Sequence, residues 1–87
     1  MSEKRKKQIH EAVEKAFKYY EEKGYDGHIK QPEIIEESKE FAEKLAEKEM
    51  HKSSKGFNYV ASIATYLVCE SHGCPINLNM AKNFSTV

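Results

Sequence analysis

The sequence predicts an all-α domain. Three observations lead there. Apolar residues recur at spacings of three and four along the first two long segments. Turn and capping residues punctuate the boundaries between segments. A third segment is apolar around most of its helical circumference, as a helix enclosed by others must be. Eighty-seven residues make one domain spanning 1–87. A chain of this size buries only about 60% of the surface its unfolded form exposes, so its stability margin is thin. Hydrophobic content is 39% and mean hydropathy −0.77, values that overlap with disordered chains. The clear periodicity favours a folded domain.

The first helix is expected from Ser2 to Lys23, with Ser2 as N-cap. Ile9, Val13, Ala16, Phe17 and Tyr20 form its apolar stripe, and Gly24-Tyr25-Asp26-Gly27 supplies the turn. The second is expected from Pro32, a favourable first-turn residue, through Lys52. Glu33, Glu36 and Glu37 complement the positive end of its dipole, and Lys48, His51 and Lys52 its negative end. Its inner face is read as Ile34, Ser38, Phe41, Ala42, Leu45 and Ala46. Ser53-Ser54-Lys55-Gly56 is a connector.

The third helix is expected from Asn58 to Gly73, with Gly73 as its C-cap and Pro75 blocking continuation. A short fourth helix follows Asn77, a suitable N-cap, and carries Leu78, Met80, Ala81 and Phe84. Two long helices with narrow stripes and one short helix barely suffice to enclose an apolar third. The expectation is that a further helix or a second chain covers the gap, and that the 87 residues alone self-associate.

Charge distribution says more than its sum. Fourteen basic and fourteen acidic residues give a net charge of zero, which argues against a strong non-specific nucleic-acid binder. Up to Lys55 the chain is dense in Lys and Glu; beyond it only Glu70 and Lys82 are charged. Arg5 is the only arginine, so bidentate readout of bases or phosphates has almost no donor. Residues 1–30 do not read as a signal peptide, and no apolar run is long enough to be expected to span a membrane. Two cysteines poorly oriented to bridge fit an intracellular protein with reduced thiols.

The stretch Lys55–Phe84 carries a family resemblance. Tyr66, Leu67, Val68, Cys69 and Glu70, then Gly73 and Pro75, stand at the spacings of a Tyr-Ile-Ala-Cys-Arg pattern followed by Gly-x-Pro. Val60 and Ala64 fall where β-branched and small residues pack, and Lys55 where a basic residue often precedes the helix. The segment opening at Pro32 with several acidic residues is similar too. These features resemble the cyclin-like repeat of general transcription factor IIB and its archaeal counterpart, over most of the chain from Pro32 onward. Residues 1–30 match only as an amphipathic helix.

The resemblance implies a repeat of five helices around a buried third. It implies a non-catalytic role in transcription initiation, with TATA-binding protein, promoter DNA and RNA polymerase as partners. The setting would be the cytoplasm of an archaeon or the nucleus of a eukaryote. Three departures stand against the pattern. Glu70 replaces the usual arginine. The segment after Pro75 is one residue short. The fifth helix, the reading half of a helix-turn-helix, is missing, which implies a truncated piece, one repeat of a longer protein or a small paralogue. Lys55, Asn77 and Lys82 are then the candidate nucleic-acid contacts, positioning rather than specifying. A second reading is a small helical protein–protein interaction or dimerisation module with no DNA role.

Other chemistry is thinner. Cys69, His72 and Cys74 are weak metal candidates, because zinc takes four ligands and only three stand here. The plainer reading makes Cys69 a small buried hydrophobe, His72 a helix-end residue and Cys74 loop filler. No nucleophile-base-oxyanion set is visible, so no catalytic residue is assigned, and nothing calls for a cofactor. Lys4-Arg5-Lys6-Lys7 is either a contact for nucleic acid or an acidic partner, or a solvated terminal turn. Lys and Glu pairs such as Glu36/Lys39 read as solvated surface. Tyr20, Tyr59 and Tyr66 are expected in the core and Tyr19 and Tyr25 on the surface.

Overall fold

The computed structural model describes residues 2–25, 31–49 and 56–86, which form four α-helices. They are α1 Glu3–Glu22, α2 Pro32–Glu49, α3 Phe57–Ser71 and α4 Leu78–Ser85. No strand occurs among the described residues. Lys55 and the expected end of the second helix at His51 and Lys52 lie outside the described residues.

Local chemistry sets the helix ends. The Ser2 hydroxyl accepts from the Arg5 N–H at 3.2 Å, satisfying one of the orphan donors at the start of α1. Helices α1 and α3 end alike. Gly24 and Gly73 adopt φ of +97° and +76°, the left-handed conformation that side chains disfavour. At the end of α1, the Tyr25 N–H reaches the Tyr20 carbonyl at 3.1 Å and the Gly24 N–H the Glu21 carbonyl at 3.0 Å. At the end of α3, Cys74 reaches Cys69 at 2.9 Å and Gly73 reaches Glu70 at 3.1 Å in the same way. Both are Schellman caps, which turn the chain sharply while satisfying the last carbonyls.

After Gly73 the chain crosses back over α3 without regular structure, burying Ile76. Asn77 then opens α4: its side chain accepts from the Asn79 N–H at 2.7 Å. Its own backbone N–H donates to the Tyr25 hydroxyl at 2.6 Å. The end of α1 is thereby tied to the start of α4, across 52 residues of sequence.

Helix α3 is the centre. It packs against α1, α2 and α4, while α1 also packs against α2 and α4. Ile9, Val13, Phe17 and Tyr20 of α1 meet Val60, Ala61, Ala64, Val68 and Cys69 of α3 in one continuous core. Ser38, Ala42 and Ala46 of α2 recur every four residues and are fully buried. Small side chains along one ridge let α2 approach its neighbours closely. Phe41 and Leu45, expected on that inner face, are half-buried at its margin and pack against the core from there.

Helix α3 is central but not enclosed all round. Val60, Ala61, Ala64, Val68 and Cys69 face inward, but Tyr59, Ile63 and Tyr66 are half-buried and Leu67 is 41% exposed. Three neighbouring helices cover about three quadrants of a helix, and the fourth stays open. The expectation for the tyrosines is corrected. Tyr19 and Tyr25 are half-buried rather than exposed. Tyr19 packs on Phe84 with ring centroids 5.5 Å apart, and Tyr25 is held by its bond to Asn77.

Candidate interaction surface

Cys69, His72 and Cys74 diverge. Cys69 turns into the core and is fully buried, where burial, with Cys74 nearby, pushes its thiol up to about 11. His72 turns outward to α2, its Nε2 lying 2.9 Å from Glu37 Oε2. Its backbone N–H meanwhile caps α3 on the Val68 carbonyl. Cys74 is half-buried in the turn, and both thiols are free. Helix α3 ends at Ser71, His72 is its C-cap and Gly73 turns the chain at φ +76°, so the spacing in sequence does not become convergence in space. Among the described residues no three His, Cys, Asp or Glu side chains group as metal ligands.

The charged half of the molecule is more ordered than solvated pairs would be. The Lys39 ammonium bridges Glu14 of α1 at 2.9 Å and Glu36 of its own helix at 3.6 Å. Its side chain is only 15% exposed, and the bond to Glu14 raises its pKa. The reading of Glu36/Lys39 as a simple surface pair therefore missed the interhelical partner, which periodicity within one helix cannot reveal. Glu43 of α2 draws in both Lys6 and His10 of α1, each at 3.5 Å. At that distance the His10 contact is not a formed hydrogen bond, and the buried Nε2 has no other partner. The basic run 4–7 thus faces a cleft of about 750 Å³ whose walls mix Lys4, Lys6 and Lys7 with Glu3, Glu11 and Glu14. Mixed charge of this kind does not make a cationic track for a phosphate backbone.

The two described nucleic-acid candidates part company on α4. Asn77 borders a depression of about 290 Å³ with Tyr19, Lys23, Asn79, Met80 and Asn83. Its side-chain oxygen is already engaged in capping α4. The Lys23 ammonium sits 5.4 Å from the Tyr19 ring centroid, a cation–π contact. Lys82 lies on the opposite flank, at an apolar groove. A helix turns 100° per residue, so positions five apart point in different directions. The third candidate, Lys55, is outside the described residues.

The groove beside Lys82 is the open quadrant of α3. It has a volume of about 330 Å³ and runs between α3 and α4. Tyr59, Ile63, Tyr66 and Leu67 make one wall, and Leu78 and Ala81 the other. Leu67 and Leu78, at 41% and 49% exposure, are the exposed large hydrophobics among the described residues, and both border it. Sequence reasoning anticipated an uncovered face on α3 but not that α4 would form its second wall. The four-residue spacing of Leu78 and Lys82 was the signal available.

The chain matches no known family model, no characterised protein and no solved structure. Its function is therefore argued from the residues themselves. No helix among the described residues is long and apolar enough to cross a membrane.

Proposed function

We propose that this chain is a non-catalytic repeat of the transcription factor IIB type, contributing protein and DNA contacts to promoter complex assembly. One observation carries the reading. The nearly uncharged α3, bearing Tyr66, Leu67, Val68 and Cys69, packs against all three other helices and ends in a Gly73-Cys74-Pro75 turn that returns α4 onto it. That arrangement supports the five-helix expectation in the parts that these residues supply. A mobility-shift assay tests it, with TATA-binding protein and a promoter duplex. The chain should form a slower ternary complex, weakened by Lys55→Ala and Lys82→Ala. Absence of any ternary complex at micromolar chain overturns the reading.

A second reading has its own support: a small helical protein–protein interaction module with no DNA role. The groove between α3 and α4 favours it, because contiguous exposed apolar surface marks interaction sites. Sedimentation and partner-binding measurements without DNA address this reading independently of the promoter assay.

A further inference from the structure

The geometry points to the α3–α4 groove as the docking site for an amphipathic helix of a partner protein, with aliphatic or aromatic anchors along one stripe and a carboxylate at its edge facing Lys82. This rests on the interaction-module reading and names its site and partner chemistry.

Hydrogen bonding decides the kind of occupant. Both serine hydroxyls of the groove are engaged locally. The Ser62 hydroxyl donates to the Tyr59 carbonyl at 2.8 Å. The Ser85 hydroxyl donates to the Lys82 carbonyl at 2.6 Å. The Tyr66 hydroxyl faces Glu70, one turn along α3, which raises its pKa. Both walls are helices whose backbone groups are paired internally. An extended peptide laid here would leave its own N–H and C=O groups facing apolar walls, at the cost of unmade hydrogen bonds. A helix satisfies its backbone internally and presents only side chains, the requirement of helix-in-groove recognition.

Shape agrees. Ser62 and Ala81 are small and buried along the base, while Leu67 and Leu78 stand exposed above it. Small residues between larger ones let a third helix seat its ridge in the groove.

Charge then selects the partner's edge. Between Gly56 and Thr86 the sequence carries two formal charges, Glu70 and Lys82. Glu70 is not among the residues that line the groove. The Lys82 ammonium lines the groove and makes no ion pair among the described residues. A carboxylate on the docked helix supplies its complement. A second copy of the chain is a poorer fit: a two-fold contact sets the same patch against itself, and that patch carries Lys82 but no carboxylate to meet it.

The test uses the full chain and two fluorescein-labelled helical peptides of 16 residues, each with Leu at i, i+4, i+7 and i+11. One carries Glu beside the stripe and the other Lys. Fluorescence anisotropy measures affinity, and chemical-shift mapping locates the contact. The Glu peptide should bind the tighter of the two, with shifts confined to Tyr59, Ile63, Tyr66, Leu67, Leu78 and Lys82. Lys82→Glu should weaken the Glu peptide about fivefold and invert the preference, as expected for an exposed ion pair. Leu67→Ser should weaken both peptides about tenfold or more, from the loss of one buried aliphatic anchor. Because Leu67 is exposed, the thermal melt should be unchanged.

Equal binding of the two peptides, or none, overturns the proposal. Shifts on another face overturn it while leaving the interaction-module reading intact. A concentration-dependent dimer that produces the same shifts without peptide overturns it by assigning the groove to a second copy.

Discussion

The Tyr20 hydroxyl of α1 lies 2.9 Å from the Thr65 hydroxyl of α3, across 45 residues of sequence and with both residues fully buried. Thr65 has a single proton, and its Oγ1 sits 2.8 Å from the Ala61 carbonyl and 3.1 Å from that of Ser62. The threonine therefore donates to its own helix and accepts from Tyr20. The direction of the bond makes the two side chains unequal. Tyr20→Phe removes a donor and leaves the Thr65 proton satisfied, at a cost of about 1 kcal/mol. Thr65→Val strands a buried phenolic O–H, at about 1–3 kcal/mol. Urea unfolding should show the valine variant to be the less stable, and the double variant less destabilised than the sum of the two. Equal single costs with strict additivity would contradict this direction.

Alkaline stability follows from the same core. Burial, offset in part by the bond to Thr65, pushes the Tyr20 phenol up to about 12 from 10.0. The Cys69 thiol is raised to about 11 from 9.0. In both cases the fold favours the protonated, neutral form. The contribution is complete below the unfolded value and is lost as pH rises through the folded one. Stability should hold steady below pH 9.0, then fall from there through about 12 as the two groups ionise. Tyr20→Phe should blunt the upper part of that fall when melts are recorded across the range.

Thiol reactivity should separate the two cysteines. Cys69 is fully buried with a raised pKa, and the thiolate is the reactive form. Cys74 is half-buried in the turn. At pH 8 a disulfide-exchange reagent should label Cys74 promptly and Cys69 only on unfolding. Cys74→Ser should abolish the fast phase, as followed by mass spectrometry.

Gly73→Ala should destabilise through the backbone alone. A Cβ at this position meets nothing within 4 Å, yet φ is +76°. Left-handed geometry costs a non-glycine residue about 1–2 kcal/mol. Gly73→Asn should cost less, because asparagine tolerates that region. Equal melting temperatures for all three chains would contradict the Schellman cap.

Lys39→Met should lower stability by about 1 kcal/mol or less, because the bridge from α2 to Glu14 is half open to solvent. Its effect should shrink as salt is added, since salt screens exposed charges.

Helix positions were legible wherever a local rule acts. Ser2, Gly24, Pro32, Gly73 and Asn77 each fix an end through their own backbone geometry or side-chain bond, and α1, α3 and α4 begin or end within about two residues of them, the ordinary margin for helix boundaries. The inner face of α1 followed from spacing, as did Ile34, Ser38, Ala42 and Ala46 of α2, though not Phe41 and Leu45. What failed was partnership: Lys39 reaching to α1, His72 reaching to Glu37, Tyr25 holding Asn77. Each joins residues distant in sequence, and no periodicity within one segment encodes a neighbour's position.

The α3–α4 groove divides along the same line. By itself the sequence determined that α3 carries more apolar surface than three amphipathic neighbours can cover, because its hydrophobic residues run around the helix rather than along a stripe. Only the tertiary structure decided which face stays open. Val60, Ala64 and Val68 are drawn inward by the stripes of α1 and α2, and the turn at Gly73 lays α4 along one side. Tyr59, Ile63, Tyr66 and Leu67 remain on the open side, with Lys82 beside them. Burial counts apolar area without regard to direction; the packing of neighbouring helices supplies the direction.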